Sequence, residues 1–258
     1  MRLYLKYFSI HVRSLMQYKV SFFLTILGQF LVSFSAFLSI YFMFLRFHEV
    51  EGFTYSETLL CFAVVLMAFS IAETFARGFD TFPAMIGNGE FDRIMVRPCN
   101  EIFQVLASRI EFSRLGRFAQ AVIIFTYAIP KSGVVWTADK ILTMILMILS
   151  GVVIFSGLFL VYASFCFFTL EGLEFMNIFT DGGREFGSYP FSIYGKEVLR
   201  FVTYVIPLAL FQYYPFLHLI GRVDNPGYML FPLLGMLFLI PCYAFWRIGV
   251  RHYKSTGS

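Results

Sequence analysis

Between residues 171 and 185 three acids stand close together, Glu171, Glu174 and Asp181, with Arg184 and Glu185 behind them. Carboxylates grouped beside a membrane could hold a cation or exchange a proton, so this is the first place to look for chemistry. Their spacing is not a known ligand set, and a water-exposed loop accounts for the same composition. The other reactive side chains are scattered. His11, His48, His218 and His252 share no segment, and Cys61, Cys99, Cys166 and Cys242 form neither a CxxC pair nor a disulfide framework. No HExxH or GxSxG occurs. The nearest approach to a phosphate-cradling P-loop is Gly195-Lys196, with Pro190 where the first glycine should stand and Glu197 where Ser or Thr should follow. Nucleotide binding of that kind is excluded. A more compact polar element is "IGNGEFDRIMVRP" (86–98), where Glu90, Asp92, Arg93 and Arg97 crowd between a glycine pair and Pro98.

The elements that must position these residues are apolar. Of 258 residues 59% are hydrophobic and only 14% charged, against about 25% charged in a soluble domain. Uncharged runs cover 20–45, 141–170, 201–220 and 225–246, and a spanning helix needs roughly 20 such residues. Two weaker segments, 57–77 and 118–130, complete a set of six if Arg114 and Arg117 snorkel to the interface. With six spans, sixteen of the 20 Lys and Arg fall on one side, and only Arg46, Lys131, Lys140 and Arg222 on the other. That asymmetry puts both termini in the cytoplasm. The expectation is one all-α membrane domain over 1–258, with spans at about 20–45, 55–77, 110–130, 141–168, 198–220 and 226–247. No cleavable signal peptide is expected, because the first apolar run is too long.

Residues 1–19 place Leu5, Phe8, Val12, Leu15 and Met16 at helical spacing among cations, an interfacial amphipathic helix. Glu73 and Arg77 form an i,i+4 pair at the inner end of the second span. Gly87 and Gly89 allow a tight turn, Glu90 and Asp92 suit a helix start, and Pro98 ends the element. The 86–98 stretch thus reads as a two-turn helix in a cytoplasmic loop of about 80–108, offering Phe91, Ile94 and Met95 beside paired charges. Pro207 and Pro215 kink the fifth span, the stretch 171–185 reads as a water-exposed loop, and 187–197, which mixes aromatics with turn residues, reads as an interfacial segment.

With "GEFDRIMVRP" followed by "NEIFQVLASRI", and "SYPFSIYGKEVLRFVTYVIPLALFQYYPFLHLIG" before the last span, the whole chain resembles the permease subunit of an ABC-2 type ABC exporter. The resemblance implies that the loop between spans two and three carries a coupling helix, with Gly89, Glu90, Phe91, Asp92, Arg93, Arg97 and Pro98 meeting a separate ATPase subunit. It implies ATP and Mg on that partner, no cofactor, metal or catalytic residue in this chain, and a second permease copy or paralogue. It also implies a bacterial cytoplasmic membrane location and a pathway lined by the first, second and fifth spans, with Gln29, Ser33, Thr203 and Gln212 as polar candidates. The aromatic wealth suggests an amphiphilic or apolar substrate. The alternative is an integral membrane enzyme or lipid-processing protein using Glu171, Glu174, Asp181 and Arg184.

Overall fold

The computed structural model describes residues 2–169 and 172–254, so Glu171 lies outside the described residues. Helices account for all the regular structure described apart from one isolated bridge between Val50 and Phe53. The basic start forms α1 (Arg2–Gln17), and α2 (Lys19–Arg46) follows after a break at Tyr18. Thr54 and Glu57 then build a capping box at the head of α3 (Tyr55–Ala76), each side chain pairing with the other's backbone N–H. A 3₁₀ turn at Arg77–Thr81 carries α3 into α4 (Phe82–Gly87), and short helices α5 (Glu90–Met95) and α6 (Glu101–Ser108) come next. The chain turns into α7 (Leu115–Lys131) and α8 (Ala138–Thr169).

Four apolar stretches are long enough to cross a bilayer: Lys19–Arg46, Tyr55–Gly87, Ala138–Thr169 and Pro226–His252. α3 is the pillar of the molecule. Its most apolar window is 83% buried, against 11% for that of α2, because α7 and α8 flank α3 while α2 leans mainly on α7. The α2–α7 crossing is close at Gly116, where a Cβ would stand 2.2 Å from the Ile26 carbonyl oxygen; only glycine fits there.

The rest of the chain is divided into short pieces. α9 (Asp181–Gly187), α10 (Lys196–Tyr204), α11 (Leu208–Gln212) and α12 (Tyr214–Leu219) precede α13 (Phe231–Met236) and α14 (Leu239–His252). The fifth apolar run is therefore not one helix. It is interrupted at Pro207 and again at Tyr213, ahead of Pro215, because each proline lacks the N–H that a continuous helix requires. Loop 172–195 also departs from the solvated expectation. Met176, Thr180, Gly183, Arg184, Gly187, Ser188 and Phe191 are buried in it. Its glycines explain the fit: a Cβ at Gly183 would meet Leu208 at 3.2 Å, and one at Gly187 would meet Val65 at 3.3 Å. The backbone comes close enough to α3 that Cys61 Sγ meets the Gly187 carbonyl at 3.7 Å, and on the other side Gln212 Nε2 of α11 donates to the Gly187 and Tyr189 carbonyls at 3.2 and 2.9 Å.

Candidate functional site

The element at 86–98 is built from the backbone outward. Gly89 adopts φ +67°, a left-handed conformation that a side chain would strain, and sets the reversal between α4 and α5. Glu90 and Asp92 occupy the first turn of α5, where the helix dipole favours anions. Phe91 is fully buried. Its ring lies 5.2 Å from Phe82, 5.3 Å from Phe167 and 5.1 Å from Tyr253, with Trp246 at 6.3 Å. These rings come from α4, the C-terminal end of α8 and the α14 end of the chain, so Phe91 is a plug set into the floor of the bundle. Ile94 is buried beside it. The expectation that Phe91 and Ile94 are offered outward is thus corrected: alternate faces of one short helix do different things, and these two point in. Met95 stays half exposed and Val96 is 84% exposed, with Glu90, Arg93, Arg97 and Pro98 beside them on the outer face.

The loop after α5 is pinned from below. Gln104 Nε2 donates to the carbonyls of Ile94 and Cys99, both at 3.1 Å. Asn100 Oδ1 accepts from the Phe103 N–H at 3.2 Å and caps α6. Arg247 on α14 pairs with Glu101 at 3.0 Å, and the His11 ring meets the Ala107 carbonyl at 3.1 Å. A hollow of about 230 Å³ opens between Met85, Glu90, Arg93, Arg97 and Gln104. Burial, reinforced by the Asp92 carboxylate, pushes the Tyr253 phenol up to about 12, so it stays protonated under Phe91 at physiological pH.

Above this floor sits a buried charge cluster. The Glu73 carboxylate is 1% exposed and meets Arg77 at 2.8 Å, Arg117 at 2.7 Å and Arg114 at 3.3 Å. Arg114 also donates to Gln29 Oε1 at 2.7 Å, and Arg77 pairs with Asp80 at 2.5 Å. Arg114 and Arg117 therefore do not snorkel outward. A carboxylate buried between helices outbids the interface, because a lone charge there would be costly. The cluster ties α2, α3 and α7 together at one level.

The four polar residues read as pathway candidates fall in two places. Gln29 belongs to the Glu73 cluster, and Ser33, one turn on, is 1% exposed with no partner for its hydroxyl among the described residues. Gln212 is fully buried and its amide nitrogen is shared between Cys61 Sγ and the two carbonyls above. Thr203 Oγ1 donates to the Leu199 carbonyl at 2.6 Å and stands 3.2 Å from the Tyr214 hydroxyl. Cys61 and Glu73 are twelve residues apart on α3, which is about 18 Å of helix. The acids of loop 172–195 do not assemble either: among the described residues no three His, Cys, Asp or Glu side chains could hold a metal ion. Glu174 accepts from Asn177 at 3.0 Å, and Arg184 pairs with the neighbouring Glu185 while its guanidinium lies over the Phe69 ring.

An all-helical, lipid-suited bundle, with no metal-holding cluster among the described residues, is thus joined to a pinned charged helix at one end. The sequence pattern of the ABC-2 family transporter protein matches residues 11–257. The chain belongs to the ABC-2 family. No curated protein and no solved structure matches it. Membership makes it a transporter membrane protein, of a family whose permeases are typically not catalytic and which work with an ATPase partner. In this ABC-2 chain the residues that sequence reasoning missed are those holding α5 in place: Phe82, Gln104, Phe167, Trp246 and Tyr253. The aromatic spacing of "FPAMIG" and "WRIGVRHYK" carried a faint signal, but aromatic residues at membrane interfaces are ordinary and nothing local linked the two.

Proposed function

We propose that this chain is the permease subunit of an ATP-driven exporter, with six membrane crossings and both ends cytoplasmic. In this reading α5 is the coupling helix. It seats in a separate ATPase subunit through Glu90, Asp92, Arg93, Arg97 and the exposed Met95–Pro98 edge. The observation that carries the reading is the two-faced build of α5: an aromatic plug into the bundle on one side, and a charged edge with an exposed Val96 on the other. Such a helix passes on a push as a rigid body, because Gly89 and Gln104 fix its two ends. ATP and Mg act on the partner. The third crossing is α7, whose 17 residues span about 25 Å, and the fifth is the broken α10–α12 segment.

Export follows by alternating access. Closure of the ATPase pair moves α5; the movement reaches α8 and α14 through Phe91, and the two permease copies rock against each other. The exposed flank of α2 is the natural surface for a second copy, and Gln29 and Ser33, on its bundle-facing side, support the pathway from behind it. Thr203 and Gln212 support the pathway from the side of the broken fifth segment.

The test is a mild-detergent pulldown of the tagged chain from its native membrane. Recovery of a P-loop ATPase is expected, and Val96→Cys should crosslink to that ATPase. A chain recovered alone in several detergents, with Val96→Cys never crosslinked, would refute the reading.

A further inference from the structure

The hollow beside α5 carries a charge that the chain does not neutralise. It holds about 230 Å³, with Glu90, Arg93 and Arg97 around it, Gln104 and Ser108 on the side of α6, and Met85 and Ile94 as an apolar floor. Elsewhere near this end of the bundle the arginines are matched: Arg109 meets Glu111 at 2.6 Å, and Arg247 meets Glu101 at 3.0 Å. Arg93 and Arg97 hold no carboxylate among the described residues, and Glu90, though it lines the same hollow, pairs with neither. The two arginines are four positions apart on the turn that ends α5. Like charges at that spacing repel, a cost that an anion set between them relieves.

Their backbone is held in place. Gln104 Nε2 donates to the Ile94 and Cys99 carbonyls on either side of Arg97, and the Arg97 N–H reaches the Ile94 carbonyl at 3.3 Å. Guanidiniums presented from a fixed backbone lose only side-chain freedom when something binds them. The occupant is narrowed by charge and size. Two arginines and one glutamate leave a single positive charge, which one carboxylate neutralises; a second acid would face Glu90. The volume lies below the roughly 300–1,000 Å³ of small-molecule sites and suits one side chain. The hollow also adjoins Val96, which is 84% exposed. A protein closing over it takes the charges out of water above an apolar floor, where guanidinium and carboxylate form short, charge-assisted hydrogen bonds.

We propose that this hollow receives one Asp or Glu side chain of the partner ATPase, its carboxylate clasped between the guanidiniums of Arg93 and Arg97. The inference rests on the function proposed above, in which α5 meets that subunit.

The experiment uses the full chain copurified with its ATPase in mild detergent. The sequence has no lysine between Lys19 and Lys131, so Arg93→Lys and Arg97→Lys each place a single amine at the hollow. A water-soluble carbodiimide joins an amine to a carboxylate only where the two touch, and mass spectrometry reads the joined residues. A link from position 93 or 97 to one Asp or Glu of the ATPase is expected. Arg93→Glu together with Arg97→Glu should lower ATPase recovery roughly tenfold or more, as loss of a charge pair enclosed in an interface predicts. Both side chains are exposed, so the bundle should fold in every variant, and changing the linked acid to Arg should restore recovery. No link at either position while Val96→Cys still crosslinks to the ATPase, or unchanged recovery of the double variant, overturns the inference and leaves the transporter reading standing; the hollow then faces solvent or an anionic lipid headgroup. Recovery of the chain without any ATPase refutes the proposed function, and this inference falls with it.

Discussion

At the scale of single residues, Glu73 and Phe91 do the most, and they do opposite kinds of work. Glu73 is one carboxylate serving three guanidiniums inside a helical bundle. Glu73→Gln keeps the shape and removes the charge, leaving Arg114 and Arg117 without their carboxylate while Arg77 keeps Asp80. Breaking such a buried arrangement costs on the order of 3–5 kcal/mol. Thermal unfolding in detergent should therefore drop sharply for Glu73→Gln. It should drop much less for Arg77→Ala, because Arg77 is 23% exposed and solvent screens its share. Equal drops would mean that the three arginines are held by something other than this carboxylate. Phe91 contributes packing. Phe91→Ala removes a fully buried ring, worth about 3–5 kcal/mol in a core, yet the damage should stay local because α5 is only one turn and a half. The expected result is faster trypsin cleavage after Arg93, whose neighbour Ile94 is normally buried, with unfolding of the bundle little changed.

At the scale of elements, sequence reading succeeded where the signal is local. The uncharged runs 20–45, 141–170 and 225–246 matched three of the four long apolar stretches because lipid solubility is additive along a helix, whereas α3 came from one of the two weaker segments and the run 201–220 is broken. The Gly87–Gly89 pair, Glu90 and Pro98 outlined α5 because turn geometry and the helix dipole act within a few residues. What was not legible is tertiary. Arg117 reaches Glu73 across 44 positions, and from sequence alone an arginine near a span end reads as snorkelling. Loop 172–195 carries polar residues that read as wet, yet its glycines let the backbone pack against Val65, Phe155 and Leu208. The same logic makes glycine substitutions the sharpest tests at this scale. At Gly89 a side chain must enter the left-handed region, at about 1–2 kcal/mol for an ordinary residue and less for Asn. Gly89→Ala should weaken coupling to the ATPase partner, and Gly89→Asn should recover part of it. At Gly116 the obstacle is the Ile26 carbonyl rather than φ, so Gly116→Ala should push α2 off α7 and lower the yield of an engineered α2–α7 disulfide.

At the scale of the whole molecule, the asymmetry of burial is the feature that needs an external cause. α3 is enclosed while α2, of similar length and apolarity, is left almost bare. In a bilayer that difference is tolerable, because lipid covers α2 on one flank and, on the proposed function, a second permease copy on the other. The topology that allows this makes a definite claim about sides. Lys131 closes α7 at the end away from the Glu73 cluster, and Val96 follows α5 at the end that the proposed function places in the cytoplasm. In sealed, right-side-out membranes, Lys131→Cys should react with an impermeant maleimide, whereas Val96→Cys should react only after the membrane is opened. Both positions are exposed, so a failure to label reports the side of the membrane and not burial. If Val96→Cys were reached from outside, α5 could not meet a cytoplasmic ATPase, and the two-faced helix would have to be explained by a partner on the other side. If both were reached only after opening, α7 would not cross, and the bundle would be an even-spanned structure built on the four long apolar stretches alone.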